Sequence, residues 1–546
     1  MKMVIRRKPP VTKSFDDALR KFPHLSKYFR KVSREVGEPE WYTKLNRDLK
    51  KQEFPNVIYP VGDPLFIHIY RKKGEPLIYH VIEPEISEKL KKLNEKILDK
   101  MISKAHKYPV PEKTEDMESV LIKLFEEVAI LDDKKTGTKL FTNKVHLNKW
   151  DYEMIKYYLI RDRVGYGKLE PIFLDPYIED IHCTGVGSIS LIHKVFEMLR
   201  TNVVFSDDFE LNKYMVETSE RVERPVSDAK SVVDAMMPDG SRVNFIYGRE
   251  VSLEGSSFTV RKFAEVPVSI TQIINWNTMS AEMAAYIWLC LEHGMNMFVC
   301  GETASGKTTT LNASSAFISP DAKVYTVENT PEVTMPHDTW QHLVTREAGK
   351  ETDVTMFMLL IAALRSRPNY IIVGEIRGEE GNIAFQAMQT GHPVCSTFHA
   401  GSVRSMIQRI TGPPINVPIA SVDNLNIVLI QQAVDQGGHF VRRVLSVTEI
   451  ERYYDVENKM ITRQVFNWLP STDVHTFRGL YNSYILEKKI ALMLGYEDTR
   501  EIYKDLDLRK RILEKMVEHK IFNYFDVWNV ISKYYTEGVN SLPFNL

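Results

Sequence analysis

The sequence predicts an α/β protein: a P-loop domain with a parallel-sheet core, preceded by an α+β domain and, before that, a helical/β N-terminal region. Three observations predict it. After Pro267, apolar strand-like runs alternate with helical segments, which is the pattern of a parallel sheet. A complete G-x-x-x-x-G-K-[ST] run, Gly301 to Thr308, falls where one such strand passes into a helix. Upstream, the short β-like runs FIHIY, LIYHVI, ISLIHKVF and SFTVRKF are interspersed with charged helical stretches. The length of 546 residues exceeds what one hydrophobic core serves. The expected division is an N-terminal region over 1–140, an α+β domain with its linker over 141–264, the P-loop domain over 265–450 and a mainly helical extension over 451–546.

The first thirty residues hold nine Lys or Arg against two acids, Asp16 and Asp17, so they read as a solvated basic arm. FIHIY and LIYHVI follow as strands separated by the turn KKGEP. Leu90, Leu93, Ile97 and Met101 lie on one face of a charged helix. The polar stretch from Asp132 to Lys139 is a loop and a candidate boundary. A helix over DYEMIKYYLIRD leads to Gly165 and Gly167, then to IEDIHC, whose acids mark a half-exposed strand. A helix from about Ala281 to His293 ends at Gly294 in the C′ position. Strands are expected at 295–300, 323–328, 370–373 and 393–398. The helix between Asp353 and Arg365 is apolar all round (MFMLLIAAL) and is expected to be buried. The chain ends in charge-rich helices.

Composition excludes several classes. A hydrophobic fraction of 43 % with 26 % charged residues rules out a disordered chain, a collagen or a multi-span membrane protein. The formal net charge of −1 supplies no global positive field for nucleic acid. Cys183, Cys290, Cys300 and Cys395 have no CxxC spacing, which argues against a disulfide framework or a thiolate zinc site. The start of the chain carries charges where a signal peptide has its apolar segment. The most apolar stretch, Met283 to Cys300, is broken by Glu292, His293 and Gly294 and does not read as a bilayer span.

The P-loop run is the strongest chemical signal. A chance match in a chain of this length is expected about once in a hundred. Gly301 and Gly306 let the backbone curl so that successive N–H groups face phosphate oxygens, aided by the helix N-terminus. Thr303, Ala304, Ser305 and Thr309 complete the loop. Lys307 suits the β- and γ-phosphates of ATP, and the Thr308 hydroxyl suits Mg²⁺. Hydrolysis also needs a carboxylate near the γ-phosphate. Two places offer one: Glu375, ending the strand YIIVG, and Glu328 with Glu332, after the strand KVYTV. A third strand end, STFHA, brings a hydroxyl and the His399 imidazole.

With these four elements in order, the sequence resembles the secretion ATPases of type II secretion, type IV pili and archaella. The boxes read GETASGKT (Walker A), VENTPE (Asp box), LRSRPNYIIVGEIRG (Walker B) and GHPVCSTFHAG (His box). Gly374 stands where most P-loop ATPases carry aspartate, as is usual in this family. The resemblance implies a RecA-like motor domain. It implies that Glu375 is the Walker B acid near Mg²⁺ and water, Glu332 the general base and His399 the phosphate-facing histidine. The stretch 234–263 is similar to the segment joining the family's two domains, where arginines lean onto the phosphates as the ring closes. Arg242, Arg249 and Arg261 are the matching candidates. GYGKLEPIFLDPYIEDIHCTG (165–185) resembles the opening of the family's N-domain. RSRPNYIIVGEIRGEE, ENTPE and SFTVRKF resemble the archaeal branch, and FNWLPSTDVHTF with NSYILEKKIALMLGY resembles the archaellum motor ATPase. Asn329 and Thr330 replace the Asp-Pro of the bacterial Asp box. No tetracysteine zinc insertion follows the His box, and the AIRNLIRE signature of pilus-retraction ATPases is missing.

The resemblance implies a homohexameric ATPase at the cytoplasmic face of the cell membrane. Its partners would be a polytopic integral membrane platform protein and a RecA-like accessory ATPase, with ATP and Mg²⁺ at each site. Its output would be archaellum assembly and rotation. The alternative is a pilus or type II-like secretion ATPase with an unchanged site. A nucleic-acid translocase would need basic, aromatic-interleaved grooves, and basic residues concentrate only at the N-terminus, where they suit anionic lipid or an acidic partner. A non-hydrolysing nucleotide-dependent scaffold conflicts with the intact set of Lys307, Thr308, Glu332, Glu375 and His399.

Overall fold

The computed structural model describes residues 11–46, 49–50, 52–109, 114–132, 137–138, 144–262, 266–346, 352–436 and 439–546. The chain divides into two compact units, Met1–Ala264 and Glu265–Leu546.

The first unit begins with helices α1 (Phe15–Lys21) and α2 (Pro23–Val36), followed by strands β1 (Glu40–Trp41), β2 (Asn56–Gly62), β3 (Leu65–Tyr70) and β4 (Ile78–Ile82). Helices α3 (Glu88–Lys104), α4 (Thr114–Val128) and α5 (Lys149–Arg163) share a core with β5 (Ala129–Leu131) and β7 (Val145–Leu147), which pair with each other, β7 also pairing with β6 (Gly137–Thr138). Leu90, Leu93, Ile97 and Met101 are all buried there, as the helical spacing requires. After α6 (Glu170–Leu174) come β8 (Ile178–Cys183), β9 (Gly187–His193), β10 (Glu197–Phe205), α7 (Asp208–Arg221), β11 (Val232–Met236), β12 (Arg242–Ile246) and β13 (Ser257–Arg261).

One ten-stranded sheet, ordered β1-β2-β3-β4-β10-β9-β8-β13-β12-β11, runs through this unit. It crosses the boundary expected at 140/141, because β4 pairs in parallel with β10. A buried carboxylate fastens the seam: Tyr59 and Tyr79 donate to Asp175 Oδ2 at 2.6 and 2.8 Å, and the Tyr177 N–H donates to Oδ1 at 2.8 Å. The N-terminal basic arm is a correction. Residues 1–10 lie outside the described residues, but α1 and α2 are folded onto the sheet with Ala18, Phe22 and Leu25 buried. Lys21 and Lys27 pair with Asp63 and Glu85, so part of the positive charge is matched. Of the polar loop at 132–139, residues 133–136 and 139 lie outside the described residues.

The second unit contains α8 (Ile270–Asn275), α9 (Ala281–Glu292), β14 (Met297–Gly301), α10 (Lys307–Ser315), β15 (Val324–Glu328), β16 (Trp340–Val344), α11 (Met356–Arg365), β17 (Tyr370–Glu375), α12 (Glu380–Gln389), β18 (Val394–Phe398) and α13 (Val403–Thr411). Then come β19 (Ile427–Gln436), β20 (His439–Tyr454), β21 (Lys459–Leu469), β22 (Val474–Phe477), a π-helical turn (Ile485–Ile490), α14 (Ala491–Met493), α15 (Ile502–Glu518) and α16 (Tyr524–Glu537). The nine-stranded sheet is ordered β16-β15-β17-β18-β14-β19-β20-β21-β22. It is parallel from β16 to β19 and antiparallel beyond. Gly294 follows α9 at a φ of +71°, as a C′ glycine should.

Two expectations need correction here. The extension after 450 is not mainly helical at its start: β21 and β22 continue the sheet, because Val465 and Phe466 supply inward apolar contacts to its core. The apolar helix α11 is not buried all round. Met356, Leu360 and Ala363 form an inward stripe, while Phe357 and Met358 are 39 % and 55 % exposed. Its position beside the edge strand β16 leaves one side of the helix without a neighbour among the described residues of this unit. Among the described residues no helix is long and apolar enough to cross a membrane.

The packing centre of this unit is α9, whose ten apolar residues Ala281 and Met283–Leu291 are all buried. The Trp288 ring stacks on Phe317 at 5.1 Å, and its indole N–H donates to the Tyr535 hydroxyl at 3.0 Å. Trp288→Ala is therefore expected to destabilise the second unit by about 3–5 kcal/mol, read as a lowered denaturant midpoint in equilibrium unfolding.

Candidate nucleotide site

Strands β15, β17, β18 and β14 are consecutive and parallel, so their C-terminal ends share one edge of the sheet, where ligands of such sheets bind. That edge holds Glu328, Glu375, His399 just past Phe398, and the P-loop after Gly301.

The P-loop is shaped by two unusual backbone positions. Gly306 caps α10 at a φ of +91°, and Ala304 has a φ of +61°. A side chain at 306 would also meet Arg442 Cδ and Gln431 Nε2 at 3.0 Å, so only glycine fits there without displacing a neighbour. Gln431, at the end of the apolar run of β19, latches the loop. Its amide donates to the Ser305 carbonyl at 2.9 Å and accepts from the Thr310 hydroxyl at 2.7 Å. Arg442 Nε donates to the Ala304 carbonyl at 3.1 Å. Sequence reasoning missed both residues. The signal available for Gln431 was a polar side chain at a strand end, the same feature that marks the other boxes.

Lys307 Nζ donates to the Glu302 carbonyl at 2.8 Å and lies 3.5 Å from His399 Nδ1. Burial lowers its pKa, opposed by the carboxylates of Glu375 and Glu332 and by Cys300, and assisted by Arg377. Glu332 is thus within electrostatic reach of the lysine. The Ser305 hydroxyl is spent on the Glu302 carbonyl at 2.8 Å, whereas Thr308 and Thr309 are half-buried. Thr303 and Ala304 are exposed.

At the Walker B end, Arg377 holds Glu375 Oε2 at 2.5 Å. His399 Nε2 lies 2.7 Å from Oε1, but off the hydrogen-bonding direction, so Oε1 is buried without a hydrogen bond. Partial burial lowers the His399 pKa. Glu375 pulls it up, and Lys307, Arg377 and Arg409 push it down. A neutral ring that accepts from the Lys307 ammonium through Nδ1 carries its proton on Nε2.

Glu328 plays a different part from Glu332. It is 1 % exposed, and its Oε1 accepts from the Glu332 and Val333 N–H groups, both at 2.9 Å. Its Oε2 lies 2.9 Å from His342 Nε2. Burial raises its pKa against the His342 and backbone contacts. It leaves no room at 374: a Cβ there would stand 2.9 Å from Glu328 Cγ. The register of β17 against β18 shifts at this glycine, where the Thr397 hydroxyl donates to the Gly374 carbonyl at 2.6 Å.

The described residues of the second unit therefore gather the P-loop, Glu332, Glu375 and His399. The three arginines belong to the first unit. Arg249 is engaged by Asp208 at 2.7 and 3.1 Å. Arg242 and Arg261 stand directly opposite each other on β12 and β13, both exposed. Like charges in that register repel.

The fold and site define a P-loop nucleotide-binding protein with four functional boxes on one sheet edge. The chain belongs to the type II/IV secretion system protein family, whose model matches residues 166–468. It is 50 % identical to the uncharacterized protein MJ0900 of Methanocaldococcus jannaschii, over 97 % of this chain and 98 % of that one. It is 28 % identical to the probable conjugal transfer protein TrbB of Sinorhizobium fredii, over 38 % of this chain and 65 % of that one. The crystal structure of the pilus retraction motor PilT with bound ADP matches with a TM-score of 0.37 at 20 % identity, over 60 % of this chain and 88 % of that one.

Gly374→Ala is expected to lower stability by about 1–3 kcal/mol through the forced displacement of Glu328. In a Glu328→Ala background the same substitution should cost much less. A thermal-unfolding double-mutant cycle checks the coupling.

Proposed function

We propose that the protein is an ATP-driven ring motor, a homohexamer at the cytoplasmic face of the cell membrane. It would power archaellum assembly and rotation through a polytopic platform protein, with a RecA-like accessory ATPase beside it. The observation that carries the ATPase reading is the convergence of Lys307, Thr308, Glu332, Glu375 and His399 on one sheet edge. The archaellum assignment rests on the wording of the tail and linker segments.

On nucleotide binding, Lys307 leaves the Glu302 carbonyl for the β- and γ-phosphates, and the loop N–H groups at the α10 N-terminus face the phosphate oxygens. The residues present fit Mg²⁺ with nucleotide, since Glu375 Oε1 is a buried oxygen without a hydrogen bond and its carboxylate acts electrostatically on the P-loop Lys307. Thr308 would hold the ion directly and Glu375 through water, and the ion would neutralise charge on the phosphates. Glu332 orients and deprotonates the attacking water. Neutral His399, between Lys307 and Glu375, hydrogen-bonds the γ-phosphate and registers its loss. Arg242, Arg249 and Arg261 take the finger role, for which Arg249 must first leave Asp208.

A second reading keeps the site and changes the membrane partner: a pilus-assembly or secretion ATPase, which the family description covers equally.

Lys307→Ala is expected to abolish binding of a fluorescent ATP analogue. Glu375→Gln should bind it normally and lose about 10²–10⁴-fold in turnover; robust hydrolysis by that variant would overturn the catalytic assignment. In cells carrying Glu375→Gln at the native locus, microscopy is expected to show loss of both swimming and the thick rotary filament. Normal swimming with thin pili or secreted proteins missing would favour the second reading.

A further inference from the structure

Glu332 is exposed, and its carboxylate makes no hydrogen bond among the described residues. Its aim is therefore set by whatever holds its backbone. On the N–H side that is Glu328, at 2.9 Å. On the carbonyl side it is Asn312, one turn beyond the P-loop threonines on α10. Asn312 Nδ2 donates to the Glu332 carbonyl at 2.8 Å, and Asn312 Oδ1 accepts from the Thr334 N–H at 3.1 Å. One amide thus grips the loop on both sides of Val333.

Asn312 is itself backed by the end of the chain. The Ser315 hydroxyl donates to the Asn312 carbonyl at 2.6 Å and lies 3.0 Å from the hydroxyl of Tyr524, the first residue of α16. That phenol is fully buried and reaches the Thr334 carbonyl at 3.3 Å and the Asn312 carbonyl at 3.4 Å. It touches both the P-loop helix and the loop that carries Glu332. Further along α16, Trp528 packs on His337 with ring centroids 4.6 Å apart. The helix is anchored by Tyr535, which donates to the Phe317 carbonyl at 2.7 Å, and its leading turn by Ser269 and Thr271, which donate to the Phe522 and Ile521 carbonyls at 2.7 Å each. A phenylalanine would fill the same space as Tyr524. A buried hydroxyl is costly unless it is bonded, and this one is bonded between the two segments that carry catalytic groups.

We propose that Asn312 and Tyr524 are positioning residues for hydrolysis, through which the C-terminal helix α16 holds Glu332 at its working distance from Lys307 and the water. The inference rests on the general-base reading of Glu332. Displacements of about 1 Å at a reacting centre cost up to about 10²-fold in rate, so loosening this clamp acts on kcat and leaves nucleotide affinity nearly intact.

The experiment is steady-state and single-turnover ATP hydrolysis by the full-length protein carrying Asn312→Ala, Tyr524→Phe, Ser315→Ala or Glu332→Gln, and by the double variants with Glu332→Gln. Thermal unfolding confirms that each is folded. The expected result is a kcat lowered roughly 10- to 100-fold in Asn312→Ala and several-fold in the milder Tyr524→Phe and Ser315→Ala, with the KM for ATP within about twofold. In the Glu332→Gln background the same substitutions should cause no further loss, because the group they position is gone. Wild-type kcat in Tyr524→Phe and Asn312→Ala, a raised KM at unchanged kcat, or losses that multiply with Glu332→Gln would overturn the clamp. Wild-type turnover by Glu332→Gln alone would instead overturn the general-base reading on which it rests.

Discussion

The nucleotide edge depends on a carboxylate that the solvent never reaches. Burying a glutamate is costly unless its oxygens are well bonded, and the contacts to Glu328 offset part of that cost, with burial still raising its pKa. Two backbone N–H groups of the following loop converge on one oxygen and His342 approaches the other. In return the loop bearing Glu332 is folded back over the end of β15. The cost appears one strand away, where the space above β17 is filled and position 374 carries no side chain. In this chain, glycine at 374 is therefore the shape left by a neighbouring strand's acid, and the carboxylate that ends β17 stands one residue on, at Glu375.

The P-loop follows the same logic of support from the side. A loop with two left-handed residues is not held by its own contacts alone. Gln431 and Arg442, both from strands on the other flank of β14, bond to the carbonyls of Ser305 and Ala304. The loop N–H groups at the start of α10 are thereby left for phosphate. Lys307 is parked on the Glu302 carbonyl, with its charge felt by Glu375, Glu332 and His399. The site is a set of charges already in place on a loop held from the side; in the proposed function a nucleotide would replace the Glu302 carbonyl on Lys307 rather than order the loop.

The first unit rests on a different buried acid. Asp175 draws two phenols from strands distant in the chain and the N–H of nearby Tyr177, and burial pushes both phenols' pKa values up. That contact, with the pairing of β4 and β10, makes one sheet of two segments whose composition reads as separate. Toward its far end the exposed Arg242 and Arg261 stand opposite each other on paired, half-buried strands.

Much of this was legible in the residues. Alternating apolar strands and helices determined the parallel core, glycine and lysine spacing determined the phosphate loop, and strand-end acids and His399 determined the edge where chemistry gathers. These are local signals, readable within about twenty residues, because periodicity and turn chemistry act over that range. Only tertiary structure decided which carboxylate is buried and which is exposed, since Glu328 and Glu332 differ by four positions and not at all in chemistry. It also decided that α11 exposes Phe357 and Met358, that the sheet continues past 450, and that Gln431, Arg442, Asn312 and Tyr524 serve a site lying as far as 200 residues away. Those roles arise where side chains from remote segments converge, and no spacing along the chain records the convergence.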